Sequence, residues 1–206
     1  MVFGKLLGLN SKRQTEARSS SEWLKQATKL KSEGKLDEAI QAISKAHESA
    51  VVEDVVLASA AYLKLPQYLL LAKRNDEAWS VLNRMVSEGI SGKRPSREMV
   101  FVEHSLIYGE MSKQLKVEGK LTDAAIYSVL STVSWQRGMV EQDRQERAKV
   151  DNEKLTAQVG KLLKDSSEQS KQAFLSTVIS AIEKSGHIEP SEVARDLKAA
   201  FNKSSS

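Results

Sequence analysis

The stretch "SEGKLDEAI", residues 32–40, places a glycine inside a helix-forming run and follows it with an acidic pair and an alanine. It nearly recurs as "VEGKLTDAAI" at 117–126, and a weaker copy, "AKRNDEAW", lies between them at 72–79. Glycine ends a helix readily because it lacks the Cβ that penalises left-handed backbone. An alanine five residues later lets two helices cross closely. The stretch therefore predicts a tight corner between two helices, used three times.

The composition of the 206-residue chain favours helices throughout. Hydrophobic residues make up 40% and charged residues 28%, as is ordinary for a folded soluble protein. Three prolines and ten glycines supply few of the turns that an all-β fold requires. No run approaches the ~18 apolar residues that span a bilayer. We expect an all-α, cytoplasmic protein, and the absence of cysteine fits a reducing compartment.

Apolar residues at helical spacing lie on both sides of the first corner, which predicts two amphipathic helices facing each other. We expect Ser20 or Ser21 to cap the first helix. Pro66 predicts a kink or break in the third helix, and Gly89 predicts the end of the fourth. The two stripes consist of Trp23, Ala27 and Leu30, and of Leu36, Ala39, Ile40, Ile43 and Ala46.

The residues around the first corner match the pattern of the tetratricopeptide repeat. Its aromatic, small, large, alanine, large and alanine positions are filled by Trp23, Ala27, Leu30, Ala39, Ile43 and Ala46. The later copies are weaker, since the corner alanines Ala39, Ala78 and Ala124 are 39 and 46 residues apart, against a family period of about 34. Residues 21–137 thus resemble an irregular array of three tetratricopeptide-like hairpins. An ordinary helical bundle is the alternative.

The resemblance implies a non-enzymatic module, such as an adaptor, chaperone or assembly factor. Such a module holds a peptide or helix of another protein in a concave face lined by the first helix of each hairpin. The basic bias of this face favours an acidic ligand segment, although solvated lysines would give the same pattern. The residues that the resemblance places in the groove are Thr28, Lys31, Lys64, Gln67, Lys113 and Lys116.

The rest of the chain divides by composition. Outside the repeat region we expect four parts: a mobile arm at 1–20, a charged connecting helix at 138–165, a C-terminal helical hairpin at 166–203 and a disordered tail at 204–206. The apolar arm residues Phe3, Leu6 and Leu7 suggest an alternative function in peripheral membrane contact. Another alternative is self-assembly through a stripe formed by Phe174, Val178 and Ile182.

No motif predicts catalysis, a cofactor or a metal site. His47, His104 and His187 are dispersed, and the loop "SEGISGKRPS" has Arg94 where a phosphate loop carries its hydroxyl. The net charge of +4 is a small excess for a nucleic-acid binder. Acidic residues also interrupt the basic ones of the connecting segment, which argues against a phosphate-binding stripe. The basic residues are Arg137, Arg144, Arg147 and Lys149, and the acidic ones are Glu141, Asp143, Glu146 and Asp151.

Overall fold

The computed structural model describes residues 18–149, 151–184 and 189–202. Every regular element in these ranges is helical, so the predicted all-α class is confirmed. A short 3₁₀ helix, Gln145–Ala148, lies between the sixth and seventh α-helices. The α-helices of the described residues are α1 (Ser20–Ser32), α2 (Leu36–Val52), α3 (Ser59–Leu71), α4 (Asn75–Glu88), α5 (Arg97–Val117), α6 (Leu121–Glu141), α7 (Asn152–Leu162), α8 (Glu168–Glu183) and α9 (Pro190–Asn202).

The first six helices pair as α1 with α2, α3 with α4, and α5 with α6, and one backbone geometry joins each pair. The corner residue has a positive φ in all three: 77° at Gly34, 59° at Lys73 and 76° at Gly119. The amide of the residue that follows donates a hydrogen bond of 2.9 Å to the carbonyl oxygen five residues earlier. This is the Schellman ending of a helix. The predicted repetition of one corner is therefore confirmed in the backbone.

Charge interactions connect one corner to the next. Arg74, which follows the second corner residue, places Nη1 3.3 Å from Oδ1 of Asp37, three residues after the first corner residue. Lys120 and Asp76 occupy the same two positions one corner later. The pKa of Lys120 is raised, mainly by its hydrogen bond to Glu118, and the charge of Asp76 contributes. The three corners therefore lie along one edge of the molecule.

The structure differs from the prediction at the start of α1 and at Pro66 of α3. Ser19, not Ser20 or Ser21, caps α1, because Glu22 completes a reciprocal capping box with Ser19. Helix α3 also continues through Pro66, which is buried. Proline removes one backbone hydrogen bond, but α3 packs against α2, α4 and α5, and tertiary packing supplies most of the stability of a helix in a protein.

The prediction of one connecting helix over 138–165 is wrong. Helix α6 ends at Glu141, and Asp143 adopts a positive φ of 53° in a further Schellman ending, with Arg144 N 2.8 Å from Met139 O. Helix α7 begins only at Asn152, where the side chain of Asp151 accepts the amide of Lys154 at 2.8 Å. Aspartate suits both turn and cap positions because its short carboxylate bonds nearby backbone. Asp143 therefore lies at the end of α6 and Asp151 at the start of α7, and the segment is not a single charged helix.

The C-terminal helices pack back onto α6 and form one core with the third hairpin. Helices α7, α8 and α9 each contact α6, and α8 and α9 pair with each other. Phe174, Val178 and Ile182 are buried in this core together with Val129 and Val133 of α6. Because the stripe on α8 is covered by the chain itself, the predicted self-association through these three residues is wrong.

Candidate protein-binding face

Helices α1, α3 and α5, the first helix of each hairpin, lie side by side. Lys64 Nζ of α3 donates a hydrogen bond of 3.3 Å to Thr28 Oγ1 of α1. Lys31 Nζ of α1 lies 5.3 Å from the centre of the Tyr68 ring of α3, within cation–π range. Helix α3 also packs against α5. We call the solvent-facing side of these three helices the first-helix face. It carries the six predicted groove residues together with exposed apolar residues of α3 and α5.

The six residues predicted to bind a partner all reach this surface. Thr28, Lys31, Lys113 and Lys116 are exposed, and Lys64 and Gln67 are half-buried. The structure brings Thr28, Lys31 and Lys64 together across the α1–α3 boundary, through the hydrogen bond from Lys64 to Thr28 and the contact of Lys31 with the Tyr68 ring. Lys113 and Lys116 form a separate basic group near the end of α5, where Lys113 Nζ pairs with Glu110 Oε1 at 2.7 Å.

Charge separates between the first and second helices of the hairpins. Helix α1 carries three basic and one acidic residue, α3 carries one basic and no acidic residue, and α5 carries three basic and three acidic residues, with histidine counted as neutral. The second helices are each net acidic, with three acidic and one basic residue in α2 and in α4, and two and one in α6. The first-helix face is therefore the more positive side of the array.

Exposed apolar side chains lie among these lysines, and the prediction from sequence missed them. Leu71 is 51% exposed and Val117 is 73% exposed, and each stands two residues before its corner residue. Leu71 follows Lys64 by seven residues, and Val117 follows Lys113 by four, so each shares a side of its helix with a lysine. Leu106 is exposed on the same side of α5 as Lys113. The equal offset of Leu71 and Val117 from their corners was the signal available in the sequence.

A polar network around the half-buried Glu118 fixes the third corner against the second hairpin. Glu118 accepts hydrogen bonds from Lys120 Nζ at 2.7 Å, Gln114 Nε2 at 3.0 Å and Trp79 Nε1 at 3.1 Å. The bond from Lys120 is the main cause of the lowered pKa of Glu118, and those from Gln114 and Trp79 add to it. Gln114 is buried and also donates to the carbonyl oxygen of Asn75 at 3.3 Å. This network holds the end of α5, which carries Lys116 and Val117, in place against α4.

The described ranges hold no group of three or more histidine, aspartate or glutamate side chains that could bind a metal ion. No helix in the same ranges is long and apolar enough to cross a membrane. The arm residues Phe3, Leu6 and Leu7, for which membrane contact is predicted, lie outside the described residues. Comparison of the chain with family models, curated proteins and solved structures found no match.

Proposed function

We propose that the chain is a non-enzymatic, tetratricopeptide-like scaffold that binds an acidic, partly apolar segment of another protein on the first-helix face. The proposal rests on exposed leucine and valine side chains that lie among lysines on the more positive side of the array. The protein would act as an adaptor, chaperone or assembly factor by holding a segment of its partner.

The repeated corners support an array over an unrelated bundle. Three hairpins share one corner geometry, and equivalent residues link successive corners, as in Arg74 with Asp37. In a repeat array each unit contacts mainly its neighbours, so equivalent faces of the units line up into one extended surface. That regularity gives a partner segment several similar contact positions along its length.

The exposed side chains favour a particular kind of ligand. Leu71 and Val117 would gain apolar burial against a hydrophobic side chain, at about 25 cal/mol for each Å² removed from water. Lys31, Lys64 and Lys116 have no carboxylate within ion-pair distance among the described residues, so they are available to a ligand's carboxylates. Lysine contributes more to encounter and orientation than to affinity. A helix with both acidic and apolar residues matches these requirements.

A peptide-display selection with the full chain tests the proposal. We expect the selected peptides to combine acidic and apolar residues. The variant Lys64→Glu/Lys113→Glu/Lys116→Glu should bind the best peptide at least ~10-fold more weakly in fluorescence anisotropy, which corresponds to about 1.4 kcal/mol. The loss should shrink as salt is raised, because these charges are solvent-accessible.

The matched control is Lys154→Glu/Lys161→Glu/Lys164→Glu, which changes the net charge equally at exposed sites on and just after α7. This variant should bind like the parent protein. Equal losses in both triple variants would assign the effect to overall charge and contradict a binding face on the first helices. A selection that yields no acidic peptides would do the same.

A further inference from the structure

Four valines lie exposed at the end of α2 and in the turn after it. Val51, Val52, Val55 and Val56 are between 48% and 87% exposed, although they fall within six residues of sequence. We call them the valine patch. Single exposed apolar residues are normal on a protein surface, but a contiguous cluster of them is typical of an interaction site.

The surroundings of the valine patch are acidic. Glu48, Glu53 and Asp54 lie within or beside it, and the last turn of α2 carries no basic residue. The negative end of the helix dipole lies there as well and favours cations. Val51 also lines a cleft of about 220 Å³ between α2, α3 and α4, whose other lining residues include Leu65, Arg84 and Glu88. The patch thus offers apolar surface in a negative setting.

The described part of the chain begins beside this patch. Ser20 donates to Glu53 through its backbone amide at 2.8 Å and through Oγ at 2.7 Å. Ser49 Oγ contacts the carbonyl oxygen of Arg18 at 3.5 Å. Residues 1–17 therefore join the described chain next to the C-terminal end of α2. Their sequence holds the apolar residues Val2, Phe3, Leu6, Leu7 and Leu9, the basic residues Lys5, Lys12 and Arg13, and one acidic residue, Glu16.

We propose that residues 1–10 bind to the valine patch of the same chain. Residues 1–10 supply apolar side chains and Lys5, with Lys12 and Arg13 following directly, and the patch supplies apolar and acidic side chains. The ten residues between Leu7 and Arg18 can span up to roughly 35 Å, ample for a site that the described chain already touches at Glu53. A short tether gives an effective concentration in the millimolar range, so that even weak apolar contact keeps the arm bound.

Disulfide trapping tests this proposal directly, because the chain contains no cysteine. The variant Leu7→Cys/Val52→Cys should form an intrachain disulfide in a glutathione buffer at least ~10-fold faster than the control Leu7→Cys/Lys25→Cys. Lys25 is also exposed and lines a cleft with Arg18, so both sites lie near the start of the arm and only Val52 belongs to the valine patch. Equal rates would overturn the proposal, and so would a Val52 variant that yields only disulfide-linked dimers, because the arm would then come from a second copy.

Hydrogen exchange gives an independent readout without altering the described residues. Backbone amides of residues 51–56 should exchange more slowly in the full chain than in the variant Leu6→Ser/Leu7→Ser. A change confined to this segment would support the docking of the arm on the patch. Identical exchange in the two proteins would contradict it, as would a difference located on the first-helix face.

Discussion

Glu118 and Glu33 occupy equivalent positions, each directly before a corner glycine, but their surroundings differ. Both accept a hydrogen bond from the lysine two residues later, at 2.7 Å for Lys120 and 2.9 Å for Lys35. Only Glu118 also accepts from Trp79 and Gln114. The shared ion pair joins the first and third residues of the sequence "EGK", which occurs at both corners. The network that distinguishes them depends on a tryptophan 39 residues away, which the sequence pattern alone does not bring to Glu118.

Replacing Glu118 with alanine should therefore destabilise the fold more than replacing Glu33. Glu118→Ala leaves Trp79 and the buried Gln114 without this acceptor, a loss of about 1–3 kcal/mol. Glu33→Ala removes an exposed ion pair, which solvent screens and which contributes little to stability. Urea unfolding at pH 7 measures both. Equal losses would contradict the structural role of the network.

The effect of Glu118 should also depend on pH. Its pKa in the fold lies below the ordinary value of 4.5, so the carboxylate stabilises the fold above about pH 4.5. That stabilisation is lost as pH falls through the lowered pKa. The difference in unfolding free energy between parent and Glu118→Ala should accordingly shrink between pH 5 and about pH 3. A difference that stays constant over this range would contradict the assignment.

Lys73 is the corner residue that departs from glycine. Its φ of 59° is costly for a side chain with a Cβ, whereas Gly34 and Gly119 adopt the same conformation freely. Lys73→Gly should raise the free energy of unfolding by about 0.5–1 kcal/mol, since relief of strain outweighs the added entropy of the unfolded chain. Asp54→Gly is the control, because aspartate tolerates its φ of 51° better. A less stable Lys73→Gly protein would contradict this reading.

At the scale of the elements, α5 and α6 approach each other closely at Gly138. A Cβ added there would lie 2.8 Å from Val102 Cγ2 and 3.1 Å from Val102 N. Gly138→Ala should therefore destabilise the protein by about 1–3 kcal/mol, despite the helix propensity of alanine. Gly160→Ala in α7 should instead stabilise by about 0.5–1 kcal/mol, because the added methyl meets nothing closer than 3.9 Å. Thermal unfolding distinguishes the two, and a stabilised Gly138→Ala protein would contradict the close crossing.

The sequence predicted helices best where a corner signal and apolar stripes agreed. The corners at Gly34 and Gly119 and the end of α4 at Gly89 follow from such signals. The segment 138–165 was misjudged because alternating charges suggest a solvated helix, while the aspartates there act locally on the backbone. The packing of α8 onto α6 depends on contacts distant in sequence, which periodicity along one helix does not reveal.

At the scale of the whole molecule, the candidate site combines a predicted and an unpredicted part. The lysines were located by matching the chain to a repeat, and the structure places all of them on the surface. The exposed Leu71 and Val117 were missed because an apolar residue near a helix end is expected in the core unless burial is known. The separation of charge between first and second helices appears only once the helices are paired.

The exposed apolar residues of the first-helix face should also contribute to the affinity for a peptide. Leu71→Ser/Val117→Ser should weaken binding of a selected acidic peptide by roughly 10-fold, because two exposed side chains lose burial against the ligand. The folded state should be little affected, since both side chains are already exposed. Ile179→Ser, an exposed change on α8, serves as the control in isothermal titration calorimetry. Unchanged affinity in the double variant would restrict binding to the lysines.

An NMR titration of the isotopically labelled full chain with a selected acidic peptide shows whether a partner segment lies along α1, α3 and α5. We expect the changes in amide chemical shift and the slowed amide exchange to concentrate on these first helices, including Lys64, Leu71 and Lys116. Perturbations concentrated instead on α2, α4 and α6, or on the C-terminal helices, would contradict it.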